Sequence, residues 1–186
     1  MSRITGRSLL LSLLTLILIF GVAGGAETVT LVVTAGPATK LAFIVQPSDA
    51  DATIAISPPI KVQVQDANGN LVSTATDLIT LGSIVGDGTL SGTNPVNAVN
   101  GEATFSDISI DKADSYLLTA SATGLTGGLS DGFNITVGSP SQLAFPGDGE
   151  PSDAEATVAI APPIKVQVQD AGGNLVSSAT DLITLA

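Results

Sequence analysis

Residues 58–72 read Pro58-Pro59-Ile60-Lys61-Val62-Gln63-Val64-Gln65-Asp66-Ala67-Asn68-Gly69-Asn70-Leu71-Val72. Ile60, Val62 and Val64 alternate with Lys61, Gln63 and Gln65, which is the period of a strand with one buried and one wet face. Asn68-Gly69 then supplies a turn that needs positive φ, so the chain is expected to reverse after the strand. The stretch returns at residues 162–176. Across 58–81 against 162–185, 22 of 24 positions are identical, the exceptions being Asn68/Gly172 and Thr74/Ser178. A chain that copies such a unit is expected to be an array of β domains.

Outward from this strand, Pro37 to Gly138 forms a unit of 102 residues, close to the roughly 100 of an immunoglobulin-type sandwich. Leu41, Phe43 and Val45 alternate on a first strand, and Ile79 and Leu81 point inward on a third. Asn100-Gly101 is a two-residue hairpin signal between Val96–Val99 and Glu102–Ser106. Tyr116, Leu118 and Ala120 share a face of a later strand, and Phe133, Ile135 and Val137 share a face of the last. Seven or eight short one-sided strands without a helix favour two packed antiparallel sheets over a closed barrel. The second unit, residues 139–186, repeats only the first half. Leu143-Ala144-Phe145 echoes Leu41-Ala42-Phe43, while Pro146-Gly147-Asp148-Gly149 replaces Ile44-Val45-Gln46 and lengthens the copy. Half a sandwich cannot cover its own apolar face, so this segment is expected to belong to a longer array and to be loosely held.

At the other end, Arg3 and Arg7 precede an apolar run from Leu9 to Phe20, followed by Gly24-Gly25-Ala26. That is the layout of a secretory signal peptide over residues 1–26, cleaved after Ala26. The run is short for a span of ~30 Å of hydrocarbon, so the mature chain is expected to have no membrane span. Residues 27–36 read as a strand, either a leader or an orphan last strand, because Leu31, Val33 and Ala35 match Phe133, Ile135 and Val137.

Cleavage leaves four lysines (Lys40, Lys61, Lys112 and Lys165) against all 17 acids, a net charge of −13. Such self-repulsion disfavours nucleic acid and anionic membrane as partners. Cys, His and Trp are absent, which removes disulfides, thiol chemistry, His-dependent triads and the usual zinc ligands.

The run VQVQDANGNLV, then DLITL, GDGTLSG, NGEATFSDISIDKADSYLLTASATGLT and a closing FNITV resembles the bacterial Ig-like repeats of large surface proteins, near the invasin/intimin type. The resemblance covers 37–138 fully and 139–186 as a first half, and departs at Asp114-Ser115, where such repeats often carry Gly. It implies an all-β, immunoglobulin-like antiparallel β-sandwich in tandem repeat, with the second copy truncated. It also implies a secreted or surface-attached protein in which the module is spacer, stalk or adhesive domain. It brings no catalytic residues.

Candidate sites are few. Asp66-x-Asn68-x-Asn70 with Asp77 echoes a calcium loop, but Leu71 occupies the sixth position and Gly172 removes a ligand from the copy, so a hairpin turn explains it better. A second calcium candidate lies between the units: Asp170 is expected to face Asp49, Asp51, Asp111 and Asp114 of the first unit. Phe43, Phe105, Tyr116, Phe133 and Phe145 all fall on inward positions, so they read as core rather than a sugar platform. Tyr116 is expected to hydrogen-bond nearby backbone as a tyrosine corner does. Neither Asp107 with Asp111 nor Asp87 with Glu102 has a spacing that marks a glycosidase pair. Asn134-Ile135-Thr136 is a sequon that reads as chance, and Lys61 sits on the polar face, against an isopeptide crosslink.

The function expected is therefore a non-catalytic spacer or stalk without a cofactor, its partners being neighbouring repeats. The alternatives are an adhesive module for an unidentified protein or cell-surface ligand, and an accessory domain of a secreted hydrolase.

Overall fold

The computed structural model describes residues 15–22, 25–32 and 34–184, and among them the regular structure is strand throughout, with no helix. β1 (Thr15–Val22) and β2 (Gly25–Val32) pair antiparallel, from Thr15↔Val32 to Val22↔Gly25. Residues 1–14, 23 and 24 of the expected signal peptide, and Val33 of the segment after it, lie outside the described residues. No described helix is long and apolar enough to cross a membrane.

The next eleven strands build the first unit. They are β3 (Lys40–Val45), β4 (Ala50–Asp51), β5 (Ile60–Gln65), β6 (Leu78–Val85), β7 (Leu90–Ser91), β8 (Val96–Asn97), β9 (Glu102–Phe105), β10 (Ser109–Ile110), β11 (Asp114–Ser121), β12 (Gly128–Leu129) and β13 (Phe133–Thr136). One sheet has the order β3-β5-β9 and the other β4-β13-β11-β6-β8, with β12 on the flank of β11 and a small β10-β7 ribbon beside them. Pairing is antiparallel except between β13 and β4. The inner faces meet in one cluster that includes Ile60, Val62 and Val64 from the first sheet and Ile79, Leu118 and Phe133 from the second. This is a β-sandwich.

The opening strand behaves as its alternation requires. Ile60, Val62 and Val64 are fully buried, whereas Gln63 and Gln65 lie on the outer face and bond there: Gln63 Nε2 donates to Glu102 Oε1 at 3.1 Å, and Gln65 Nε2 to Gln63 Oε1 at 2.8 Å. Burying each of these β-branched side chains contributes about 1.5–3 kcal/mol.

The turn that follows differs from the expectation in one respect. Gly69 alone has positive φ (88°), while Asn68 keeps an ordinary backbone. Gly69 N–H donates to Asp66 O at 3.1 Å and Asp66 N–H to Asn70 O at 3.0 Å, so the reversal is a turn closed by one left-handed glycine. The Asn100-Gly101 turn also departs from a simple hairpin. Both residues have positive φ (52° and 80°), and Val99 and Glu102 exchange backbone hydrogen bonds, yet β8 pairs with β6 and β9 with β5. The turn carries the chain from one sheet to the other. Gly101 sits so close to Val72 that a Cβ would lie 2.4 Å from its carbonyl oxygen. Gly101→Ala is therefore expected to destabilise the unit by at least about 1–3 kcal/mol, read by urea melting.

In the second unit β14 (Gln142–Ala144) pairs with β15 (Gln167–Gln169). Gln142↔Gln169 and Leu143↔Val168 repeat the Lys40↔Gln65 and Leu41↔Val64 register of the first unit. Gly173 takes a φ of 79° where Gly69 takes 88°. The inserted segment makes its own turn, with Gly149 N–H donating to Pro146 O and Lys165 pairing with Asp148. The apolar face, however, is bare. Leu143 is 57% exposed and Phe145 47%, so Phe145 is not a core residue as expected, because no second sheet lies over it among the described residues. Val137 is likewise 40% exposed, since β13 ends at Thr136.

Candidate inter-unit junction

Two buried aspartates organise the unit ends. Asp66 closes its own turn by accepting Asn68 N–H and Asn70 N–H on Oδ1, each at 2.9 Å, and Asn70 Nδ2–H on Oδ2 at 2.9 Å. Its Oδ2 also accepts Gly36 N–H at 2.9 Å, which ties the segment before the first strand to the turn after the second. The Asn70 side chain above all, then the Asn70 and Gly36 amides, hold the Asp66 carboxyl well below the usual range against the opposing effect of burial.

Asp170 repeats the arrangement. It accepts Gly172 N–H and Asn174 N–H at 2.9 Å, Asn174 Nδ2–H at 2.9 Å, and Gly138 N–H at 2.8 Å, where Gly138 closes the first unit. Burial pushes its carboxyl up, but the Asn174 side chain and the three backbone amides together hold it below the ordinary value. An anchored carboxylate thus joins the turn of each unit to the segment that enters it.

The second turn also touches the first unit directly. Asn174 Nδ2 donates to Asp111 O at 2.8 Å, Ala113 N–H donates to Asn174 Oδ1 at 3.0 Å, and Lys112 Nζ donates to Gly172 O at 2.6 Å. Each such bond is worth about 1 kcal/mol net, more where a charge takes part. The loop 111–114 is itself held from within. Tyr116 Oη donates to Lys112 O at 2.9 Å, as expected of a tyrosine corner, and Thr89 N–H donates to Asp111 Oδ1 at 2.6 Å.

Of the five calcium candidates, Asp111 and Asp170 are brought to the junction with Asn174 bridging them. Asp49 accepts Asn134 N–H at 2.7 Å, Asp51 accepts the Thr136 hydroxyl at 2.6 Å, and Asp114 accepts Ser115 N–H at 2.7 Å. Among the described residues no three acidic, His or Cys side chains gather into a group fit for a metal. Because protein donors already engage each carboxylate, melting temperatures in chelator and in millimolar calcium are expected to coincide. A calcium-dependent rise of several degrees would restore the cation to the junction.

Of the carboxylates weighed for hydrolysis, Asp107, Asp111 and Glu102 are engaged by protein donors. Thr93 gives Asp107 its hydroxyl at 2.7 Å and its N–H at 2.9 Å, and this holds the carboxyl down, opposite to what a general acid needs. Glu102 accepts Gln63. A groove of about 550 Å³ lies between Thr34–Ala38 and Leu71–Ala75 with Asp77. Its counterpart of about 290 Å³ lies between Val137–Pro140 and Leu175–Ser178 with Asp51. Each holds a single acidic side chain, whereas glycoside hydrolysis uses a facing pair.

The fold defines a class and no more: an all-β protein of sandwich architecture. No known protein family matches the sequence, and no curated protein matches it. Solved structures with some likeness include a glycosyl hydrolase family 2 member from Bacteroides cellulosilyticus, at 17% identity and a TM-score of 0.46, over 63% of this chain and 17% of that one. A β-glycosidase from Bacteroides vulgatus matches at 16% identity and a TM-score of 0.44, over 65% of this chain and 21% of that one. The Escherichia coli adhesin FdeC matches at 15% identity and a TM-score of 0.43, over 89% of this chain and 53% of that one. The chain thus spans about a fifth or less of these hydrolases and about half of the adhesin. No residue role is carried over from them.

Proposed function

We propose that this chain is an exported, non-catalytic Ig-like module whose repeats stack as a spacer or stalk in a bacterial cell-surface protein. The observation that carries the reading is the junction, where Asp170 takes Gly138 N–H at 2.8 Å while Asn174 and Lys112 bridge to the neighbouring unit. A flexible linker leaves its backbone groups to water, whereas here the linker end is bonded into the next turn. A module that transmits length needs such fixed joints and needs no pocket. The resemblance to bacterial Ig-like repeats and the signal-peptide layout support the same reading, that of a mature chain secreted or held at the cell surface.

Amide hydrogen exchange tests the fixed joint. Gly138 is expected to exchange at least about tenfold more slowly than an unstructured glycine, and exchange at the unstructured rate would count against a spacer with fixed joints. Binding to a glycan array and to extracellular-matrix proteins is expected to be absent. Saturable binding there would favour the adhesive alternative.

A further inference from the structure

The two copies of the turn differ where the neighbouring unit sits. Gly172 takes the place of Asn68, and a Cβ on Gly172 would lie 1.9 Å from Asp111 O and 2.9 Å from Asp111 C. The glycine is not there for its backbone, because the positive φ of this turn belongs to Gly173. It is there for space. Any side chain at 172 displaces the 111–114 loop, and with it the three hydrogen bonds across the junction.

A second difference is electrostatic. In the first unit Lys40 Nζ donates to Ala67 O at 3.4 Å and lies near Gly69. Gln142 occupies the matching register position in the second unit, paired with Gln169 as Lys40 is with Gln65. The cation beside Gly173 comes instead from the neighbouring unit. Lys112 Nζ lies 3.3 Å from the Cβ position of Gly173, and Gln142 Nε2 lies 3.9 Å from it. A lysine at 142 would bring a second ammonium against Lys112, and like charges at such range repel. The steric and the charge differences are independent, and both clear the way for the same loop.

We propose that Gly172 and Gln142 form an acceptor signature. A repeat with glycine and an uncharged residue at these positions receives the Asp-Lys-Ala-Asp loop (residues 111–114) of the repeat before it. Asn68 and Lys40 make the same face of the first unit unable to take that loop in this geometry. The inference rests on the spacer reading and deepens it: stacking order is written into two positions per repeat.

The test follows amide exchange in the whole chain and in the variants Gly172→Asn, Gln142→Lys and Asn68→Gly. The probe is Ala113 N–H, which donates to Asn174 Oδ1 across the junction. Gly172→Asn is expected to speed Ala113 exchange about tenfold or more, and Gln142→Lys to speed it several-fold, while the core amide of Leu118 is unchanged. Asn68→Gly is expected to leave Ala113 as it was. Unchanged protection of Ala113 in both junction variants overturns the signature and leaves the spacer reading standing. An unprotected Ala113 in the parent chain overturns both.

Discussion

Tyr116→Ala is expected to lower the unfolding free energy of the first unit by roughly 4 kcal/mol, and Tyr116→Phe by about 1–3 kcal/mol, both read by urea melting. Tyr116 is 1% exposed, and its ring packs against Phe133 with centroids 6.0 Å apart. Removing the ring opens a cavity that neighbours fill only in part. Removing the hydroxyl alone leaves two backbone groups without their partner, because Gly88 N–H donates to Tyr116 Oη at 3.1 Å and Tyr116 Oη donates to Lys112 O at 2.9 Å. Burial raises the phenol's pKa, so the hydroxyl remains a donor to Lys112 at neutral pH. The backbone is fitted to this ring: a Cβ on Gly86 would lie 2.3 Å from it, and one on Gly88 would lie 2.4 Å from its oxygen. Tyr116→Phe is also expected to loosen the junction, since Lys112 reaches Gly172 from the carbonyl that Tyr116 holds. A phenylalanine variant as stable as the parent would show that water replaces the hydroxyl without loss.

The same residues show what alternation conveys and what it does not. The period-two pattern of Ile60, Val62 and Val64 names the side that turns inward, and all three are fully buried. The same pattern at Leu143 and Phe145 names a side too, but burial needs a second sheet to close over it, and both are exposed. Local signals likewise fix dihedral angles without fixing sheet membership. Asn100-Gly101 makes the tight turn its residues require, yet the flanking strands part into different sheets. Asp66 was visible as a turn residue, but its bond to Gly36 links residues thirty apart and has no local signature.

The junction was partly legible. Asp170 was expected to face Asp111 across it, and Asn174 bridges the two. In the sequence alone Gly172 reads only as a lost metal ligand. Its steric meaning required knowing that Asp111 O stands where a Cβ would go. The signal that pointed to it was the position of the change: in a 24-residue segment copied with two differences, one falls at the tip of the turn that meets a neighbour. Lys112 carried no pattern of its own.

Asp66→Asn is expected to lower stability at pH 7 and to flatten the acid side of the stability–pH curve. Asp66 is 3% exposed and accepts four hydrogen bonds at 2.9 Å. Asparagine keeps one acceptor oxygen but turns an NH₂ toward groups that are themselves donors, so at least one of Gly36 and Asn70 loses its partner. The folded carboxyl has a pKa depressed below its unfolded value, first by the Asn70 side chain and then by the Asn70 and Gly36 amides. Its contribution is therefore fully present above the ordinary carboxylate range, near pH 4, and is lost as pH falls from there toward the depressed value. Asp170, whose carboxyl is also held down, contributes with the same sign at the junction. The parent chain should then lose stability steeply below about pH 4, while Asp66→Asn starts lower and falls less, so the two curves converge in acid. Denaturant midpoints measured from pH 7 down to pH 2 check this, and parallel curves would mean that Asp66 acts by shape alone and not through its charge.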